Sequence, residues 1–186
     1  MGKTTTAGLF AEAGIPVWDA DAAVHRLYAA GGAAVPRIAE IRPQAVVEGT
    51  VDRSALRAWI GEDPDALSRI EAVIHPLVAQ DRQQFIAENS DAAIVVLDIP
   101  LLYETDSAAS VDAVVVVTAP AETQRQRVLA RGTMSEREFE AILDRQVPDA
   151  EKRARADYVI RTVTIEQARA AVHDVIRHIR ENRLHA

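Results

Sequence analysis

The sequence predicts a doubly wound α/β fold, a parallel sheet covered by helices on both faces. Three observations predict it. Short apolar runs of strand length, Ile15 to Trp18, Ala93 to Ile99 and Ala113 to Thr118, recur between stretches of helical periodicity. Within the second and third, Ile94-Val95-Val96-Leu97 and Val114-Val115-Val116-Val117 are continuously apolar instead of alternating, as strands buried on both faces are. The alternation of strand and helix is the order that builds such a sheet.

In chain order, Thr4 to Ala13 reads as a helix closed by Gly14, the residue type favoured just past a helix end. The first apolar run follows. Ser54 to Ile60 and Asp65 to Glu88 carry helical patterns, the longer one interrupted at His75-Pro76, where a proline removes a hydrogen bond and bends a helix. After the third run, Ala121 to Arg131 and Ser135 to Gln146 read as helices, and Ser135 with Glu138 has the spacing of a capping box. Tyr158-Val159-Ile160 is a fourth short strand, followed by a helix from Ile165 to Arg183. A length of 186 residues suits one domain, with room for a small lid. There is no internal repeat, low-complexity tract or long linker.

Composition excludes several functions. With a net charge of −7 and a pI near 5.2, the chain lacks the basic face that displaces counterions from a nucleic acid, so no nucleic-acid partner is expected. The absence of cysteine removes disulfides, thiolate metal sites and cysteine nucleophiles, and makes the reducing cytosol the default compartment. No apolar run approaches the ~20 residues that cross a bilayer, and the N-terminus lacks the features of a signal peptide. A cytoplasmic protein without a membrane partner is expected.

The chemistry-bearing residues begin at the N-terminus. Met1-Gly2-Lys3-Thr4-Thr5 matches the end of the pattern G-x-x-x-x-G-K-[ST]. In that pattern glycine lets backbone N–H groups wrap a phosphate, lysine reaches the outer phosphates, and the next hydroxyl binds Mg²⁺. Lys3 is one of only two lysines in an arginine-dominated chain. Gly2, Lys3, Thr4 and Thr5 are therefore candidate nucleotide-binding residues.

Trp18-Asp19-Ala20-Asp21 follows an apolar run, so its carboxylates fall at the carboxyl end of a strand, where open α/β sheets bind ligands. Extended backbone would place Asp19 and Asp21 on one side. Asp21 beside a Mg²⁺-bound phosphate could orient an attacking hydroxyl and accept its proton, with Asp19 in support. Alternatively Asp21 caps a helix starting at Ala22. Phosphatases of the haloacid dehalogenase type also carry Asp-x-Asp after a strand. Against them stand the short run broken by Pro16, and Ala22-Ala23 where small polar residues usually follow.

In Leu97-Asp98-Ile99-Pro100-Leu101-Leu102-Tyr103-Glu104, Asp98 ends the most hydrophobic strand and is a candidate Mg²⁺ ligand. Seven arginines lie between Arg125 and Arg155: Arg125, Arg127, Arg131, Arg137, Arg145, Arg153 and Arg155. Arginine pairs bidentately with phosphate. Arg127 and Arg131, four apart on one helix face and ahead of Gly132, are the candidates for nucleotide phosphates.

Together these residues resemble the dephospho-CoA kinases, which use ATP to phosphorylate the ribose 3′-hydroxyl of dephospho-CoA in the last step of coenzyme A synthesis. The resemblance covers essentially the whole chain: Gly2-Lys3-Thr4-Thr5, Val17-Trp18-Asp19-Ala20-Asp21, Arg53 with Leu56, His75-Pro76-Leu77, Pro100-Leu101-Leu102-Tyr103-Glu104, Gln124 to Arg131, and Arg145-Gln146. It implies a P-loop kinase-like core (1–49, 91–131 and 156–186), a helical substrate-binding insertion near 50–90 and a lid near 132–155. It implies ATP and Mg²⁺ as cofactors and dephospho-CoA as the small-molecule substrate. Asp21 would be the catalytic base, Lys3 and Arg131 catalytic phosphate-binding residues, and Thr4 and Asp98 the metal ligands. Asp21, His75, Pro100, Leu101 and Glu104 would form the substrate side. Another P-loop kinase acting on a nucleotide-like hydroxyl, and a non-catalytic fragment that binds a CoA-like ligand, are the competing readings.

Two departures stand out. After the last short strand the family usually has asparagine and glycine, whereas this chain has Ile160-Arg161-Thr162-Val163-Thr164, which bears on contacts to adenine. The first strand and the leading half of the phosphate loop are also missing from the sequence. If the natural chain began at Met1, losing three charged hydrogen bonds of roughly 1.5–3 kcal/mol each would remove most ATP affinity. The expected natural start therefore lies upstream.

Overall fold

A computed structural model describes residues 2–105, 107–130, 132, 135–144 and 146–183. The chain divides into two compact units: unit 1 comprises 1–17 and 98–186, and unit 2 comprises 18–97.

Unit 1 begins with helix α1 (Lys3–Glu12). Its end is a Schellman motif: Gly14 N–H donates to Ala11 C=O and Ile15 N–H to Phe10 C=O, with Gly14 at φ 79°. The expected closing role of Gly14 is thereby met. Strands β5 (Val115–Thr118) and β6 (Tyr158–Arg161) pair in parallel, with Val115 opposite Tyr158 and Thr118 opposite Arg161. Helix α9 (Ile165–Arg183) packs on β6 and on α1, and Ile160 and Val172 are fully buried. Helices α6 (Ala121–Leu129), α7 (Glu136–Leu143) and α8 (Asp149–Arg155) complete the unit. The expected capping box forms, Ser135 and Glu138 each satisfying the other's backbone N–H.

Unit 2 is mainly helical: α2 (Ala20–Tyr28), α3 (Ala34–Ile41), α4 (Arg53–Glu62) and α5 (Ala66–Glu88). Its core comprises Leu27, Ile38, Val51, Leu56, Trp59, Ile70 and Ile74 with the small residues Ala34, Ala45 and Ala66. A short antiparallel hairpin, β2 (Val46–Val47) and β3 (Thr50–Val51), turns through Glu48 and Gly49, both at positive φ as a primed turn requires. Strands β1 (Val17–Asp19) and β4 (Val96–Asp98) pair with each other, and the boundary between the units falls inside both.

The α/β class and the order of its four predicted strands hold, but each of the first three is shorter than its apolar run. Helices α3 and α8 and the β2–β3 hairpin were not predicted. Their cues are weak: α3 starts on Ala33 without a side-chain cap, and the hairpin strands are two residues each. The expected interruption at His75-Pro76 does not occur, since α5 runs through Pro76. One lost hydrogen bond is outweighed by the anchoring of Ala66, Ile70 and Ile74 in the core.

Candidate active site

In unit 1, Gly2 sits at the head of α1 in the left-handed region (φ 96°). A Cβ there would lie 3.1 Å from Thr162 Oγ1 and 3.3 Å from its Cβ and Cγ2, so glycine is required both by backbone and by space. No side chain caps this helix, leaving the first-turn N–H groups of Lys3, Thr4 and Thr5 directed out of its positive end. Thr4 and Thr5 are exposed.

The ammonium of Lys3 pairs with Asp98 Oδ1. The two ends differ sharply in environment: the Lys3 side chain is 36% exposed and that of Asp98 only 2%. Asp98 Oδ2 is buried with no hydrogen-bond partner among the described residues. A buried carboxylate with one vacant oxygen, at the end of a strand and beside a lysine at a helix N-terminus, suits a divalent cation and phosphate. The residues present thus fit Mg²⁺ and a nucleotide.

Other predicted residues of unit 1 are already engaged. Arg127 donates from Nη1 to Thr162 C=O (2.8 Å) and from Nη2 to Val163 C=O (3.3 Å), tying α6 to the segment that follows β6. Thr162 N–H in turn donates to Thr118 C=O at 2.9 Å. The departure noted in 160–164 therefore lies against Gly2. Glu104 Oε1 accepts from Lys152 Nζ (2.6 Å) and from Val147 N–H (3.1 Å), with both side chains of the ion pair 15% exposed. Burial pushes the Glu104 carboxyl up, but the Lys152 ammonium and the backbone N–H groups of Glu104 and Val147 outweigh it and hold it below its ordinary range. Next to it, burial raises the Tyr103 phenol, opposed by the Arg155 guanidinium 4.4 Å from the ring centre. Pro100 and Leu101 are exposed in the turn after β4. Arg131 and Arg145 lie outside the described residues.

In unit 2 the Asp-x-Asp segment departs from expectation. The strand ends at Asp19, and Asp19, not Asp21, caps α2: its Oδ1 accepts from Ala22 N–H at 2.8 Å. Asp21 is already helical, so the two carboxylates do not share one side of an extended segment. The physical reason is the cap itself, which turns the chain into a helix at Ala20. Asp21 is exposed, and among the described residues its carboxylate has no hydrogen bond or ion pair. His75 is likewise exposed and unpartnered on α5.

Sequence reasoning missed Lys152 and the contact of Thr162 with Gly2. The first had a signal, being the only lysine besides Lys3. Thr162 lies in the segment that departs from the family pattern, but its contact with Gly2 joins residues distant in the chain.

Comparison with known proteins identifies the family. The family model "Dephospho-CoA kinase" matches residues 1–167. A dephospho-CoA kinase of Cereibacter sphaeroides is 61% identical over 181 residues, spanning 97% of this chain and 91% of the relative. One from Ruegeria pomeroyi is 53% identical over 186 residues, spanning 100% of this chain and 94% of the relative. Among solved structures, a Thermus thermophilus protein superposes with a TM-score of 0.78 at 34% identity, covering 95% of this chain and 91% of its own. A dephospho-CoA kinase from Campylobacter jejuni reaches 0.71 at 22% identity, covering 98% and 93%, and supports the fold alone. The shared fold is the P-loop kinase-like α/β architecture, and the chain belongs to the dephospho-CoA kinase family.

Proposed function

We propose that the protein transfers the γ-phosphoryl group of ATP to the ribose 3′-hydroxyl of dephospho-CoA, giving coenzyme A and ADP. Family membership supports ATP use and a small-molecule acceptor. The observation that carries the reading is the pairing of Lys3, within Gly2-Lys3-Thr4-Thr5, with a buried Asp98 whose second oxygen is unpartnered.

The backbone N–H groups of Lys3, Thr4 and Thr5, behind the turn that Gly2 permits, face the nucleotide phosphates. Lys3, more exposed than its partner, can turn from Asp98 to a phosphate oxygen. Thr4 and Asp98 would hold Mg²⁺, which when bound neutralises charge on the phosphates. Arg131 and Arg127 serve the same phosphates, Arg127 also holding the segment beside Gly2. Asp21 accepts the proton of the 3′-hydroxyl as its oxygen bonds to the γ-phosphorus and the bond to the β-phosphate oxygen breaks. His75, Pro100 and Leu101 contact the acceptor, while Glu104 supports that loop through Lys152. The helical region near 50–90 is assigned to substrate, 132–155 to the lid, and the remainder to the core. Among the described residues no helix is long and apolar enough to cross a membrane. We place the protein in the cytoplasm and its substrates among small molecules.

A coupled ADP-release assay tests the assignment. Turnover is expected with dephospho-CoA and not with adenosine or nucleoside monophosphates. Equal turnover with those acceptors would point to a different nucleotide-like hydroxyl.

A further inference from the structure

Unit 2 contains a polar contact that none of the roles above uses. Asp81 lies on α5, partly exposed, and its Oδ1 accepts two hydrogen bonds, from Trp18 Nε1 at 2.7 Å and from Arg26 Nη2 at 2.6 Å. Trp18 is 3% exposed, so its indole N–H has to find a protein partner. Arg26 adds a charge-assisted bond to the same oxygen.

The two donors bracket Asp21. Trp18 lies in β1 three residues before it, and Arg26 lies in α2 five residues after it. One carboxylate on a long helix therefore grips both arms of the strand-to-helix corner, and Asp19 closes the corner from inside by capping α2. Five helical residues rotate Arg26 about 140° from Asp21, so the grip falls on the far side of α2 and leaves the Asp21 carboxylate unpartnered. Proton transfer requires the base to be held at hydrogen-bond reach, and a misplacement of about 1 Å from a distant change can lower a rate about a hundredfold.

We propose that Asp81 is a positioning residue for the phosphoryl-transfer reaction: by binding Trp18 and Arg26 together it fixes the corner that presents Asp21 to the acceptor hydroxyl. The inference rests on the reading of Asp21 as the base. Asp81 touches neither nucleotide nor acceptor in this account and acts through Asp21 alone.

The test is a mutant cycle read by single-turnover phosphoryl transfer to dephospho-CoA, with thermal melting of every variant. Asp81→Ala is expected to lower the transfer rate about ten- to a hundredfold while leaving the KM for ATP within about twofold. Asp81→Asn, which keeps an acceptor oxygen for the indole, recovers most of that rate. Trp18→Phe, which removes the indole N–H along with part of the ring's volume, is expected to lower the rate in the same way and serves if Asp81→Ala does not fold. In an Asp21→Ala background, Asp81→Ala and Trp18→Phe are expected to have no further effect. Equal rate losses in both backgrounds, or an unchanged rate in Asp81→Ala and Trp18→Phe, would overturn the proposal. An unchanged rate in Asp21→Ala by itself would instead remove the base assignment on which the proposal stands, and the proposal with it.

Discussion

The two units handle their candidate site charges in opposite ways. In unit 1 the charged side chains are stored in pairs: Lys3 with Asp98, Glu104 with Lys152, and Arg127 on the carbonyls of Thr162 and Val163. In unit 2 Asp21 and His75 stand exposed and, among the described residues, unpartnered, while Asp19 caps α2 and Asp81 accepts from the side chains of Trp18 and Arg26. Burial accounts for the difference. A carboxylate as deeply buried as Asp98 must be compensated before any ligand arrives, whereas an exposed one is solvated and can wait. A base has to be free to accept a proton, and a phosphate-binding cation only has to exchange one anion for another.

Removing Asp21 tests the unpaired side and carries the largest expected effect. Asp21→Ala should lower kcat about 10²–10⁴-fold, the range of a lost general base, with only the small loss of melting temperature that follows from removing a first-turn carboxylate of α2. A larger fall in stability would mean that Asp21 holds the corner together and that the contrast between units is overstated.

Glu104→Gln sharpens the paired side with a smaller effect. Leaving the Lys152 ammonium without its carboxylate should destabilise the protein by about 1–3 kcal/mol at neutral pH. The pH dependence follows from the direction of the shift. Glu104 titrates below the ordinary glutamate value of 4.5 in the folded state, so its contribution is present above that value and disappears as pH falls through the folded pKa. Urea midpoints of the unsubstituted protein and Glu104→Gln should therefore converge as the pH falls below the ordinary glutamate value of 4.5. A gap that stays constant with pH would assign the loss to packing.

The sequence revealed most where the physics is local. Gly14 closing α1 and the Ser135–Glu138 capping box depend on neighbours a few residues apart, and both formed as read. The corner at Asp19 was legible only in part. Asp-x-Asp after an apolar run signals a strand end, but which aspartate caps depends on where the strand stops, and Trp18 with its bond to Asp81, sixty-three residues away, bears on that. The same limit hid the approach of Thr162 to Gly2 and the pairing of Lys152 with Glu104, residues far apart in the chain. Residue type marked Lys3 and Asp98 as candidates, whereas their pairing is a tertiary fact.

The proposed division between a charge-paired nucleotide side and an unpaired base is tested most directly by calorimetric titration of ATP with Mg²⁺ into two variants of the protein. Asp21→Ala is expected to bind ATP within about twofold of the unsubstituted protein, and Lys3→Ala at least tenfold more weakly, a difference of about 1.4 kcal/mol or more. Equal ATP affinity in Lys3→Ala, or weakened binding in Asp21→Ala, would contradict the account.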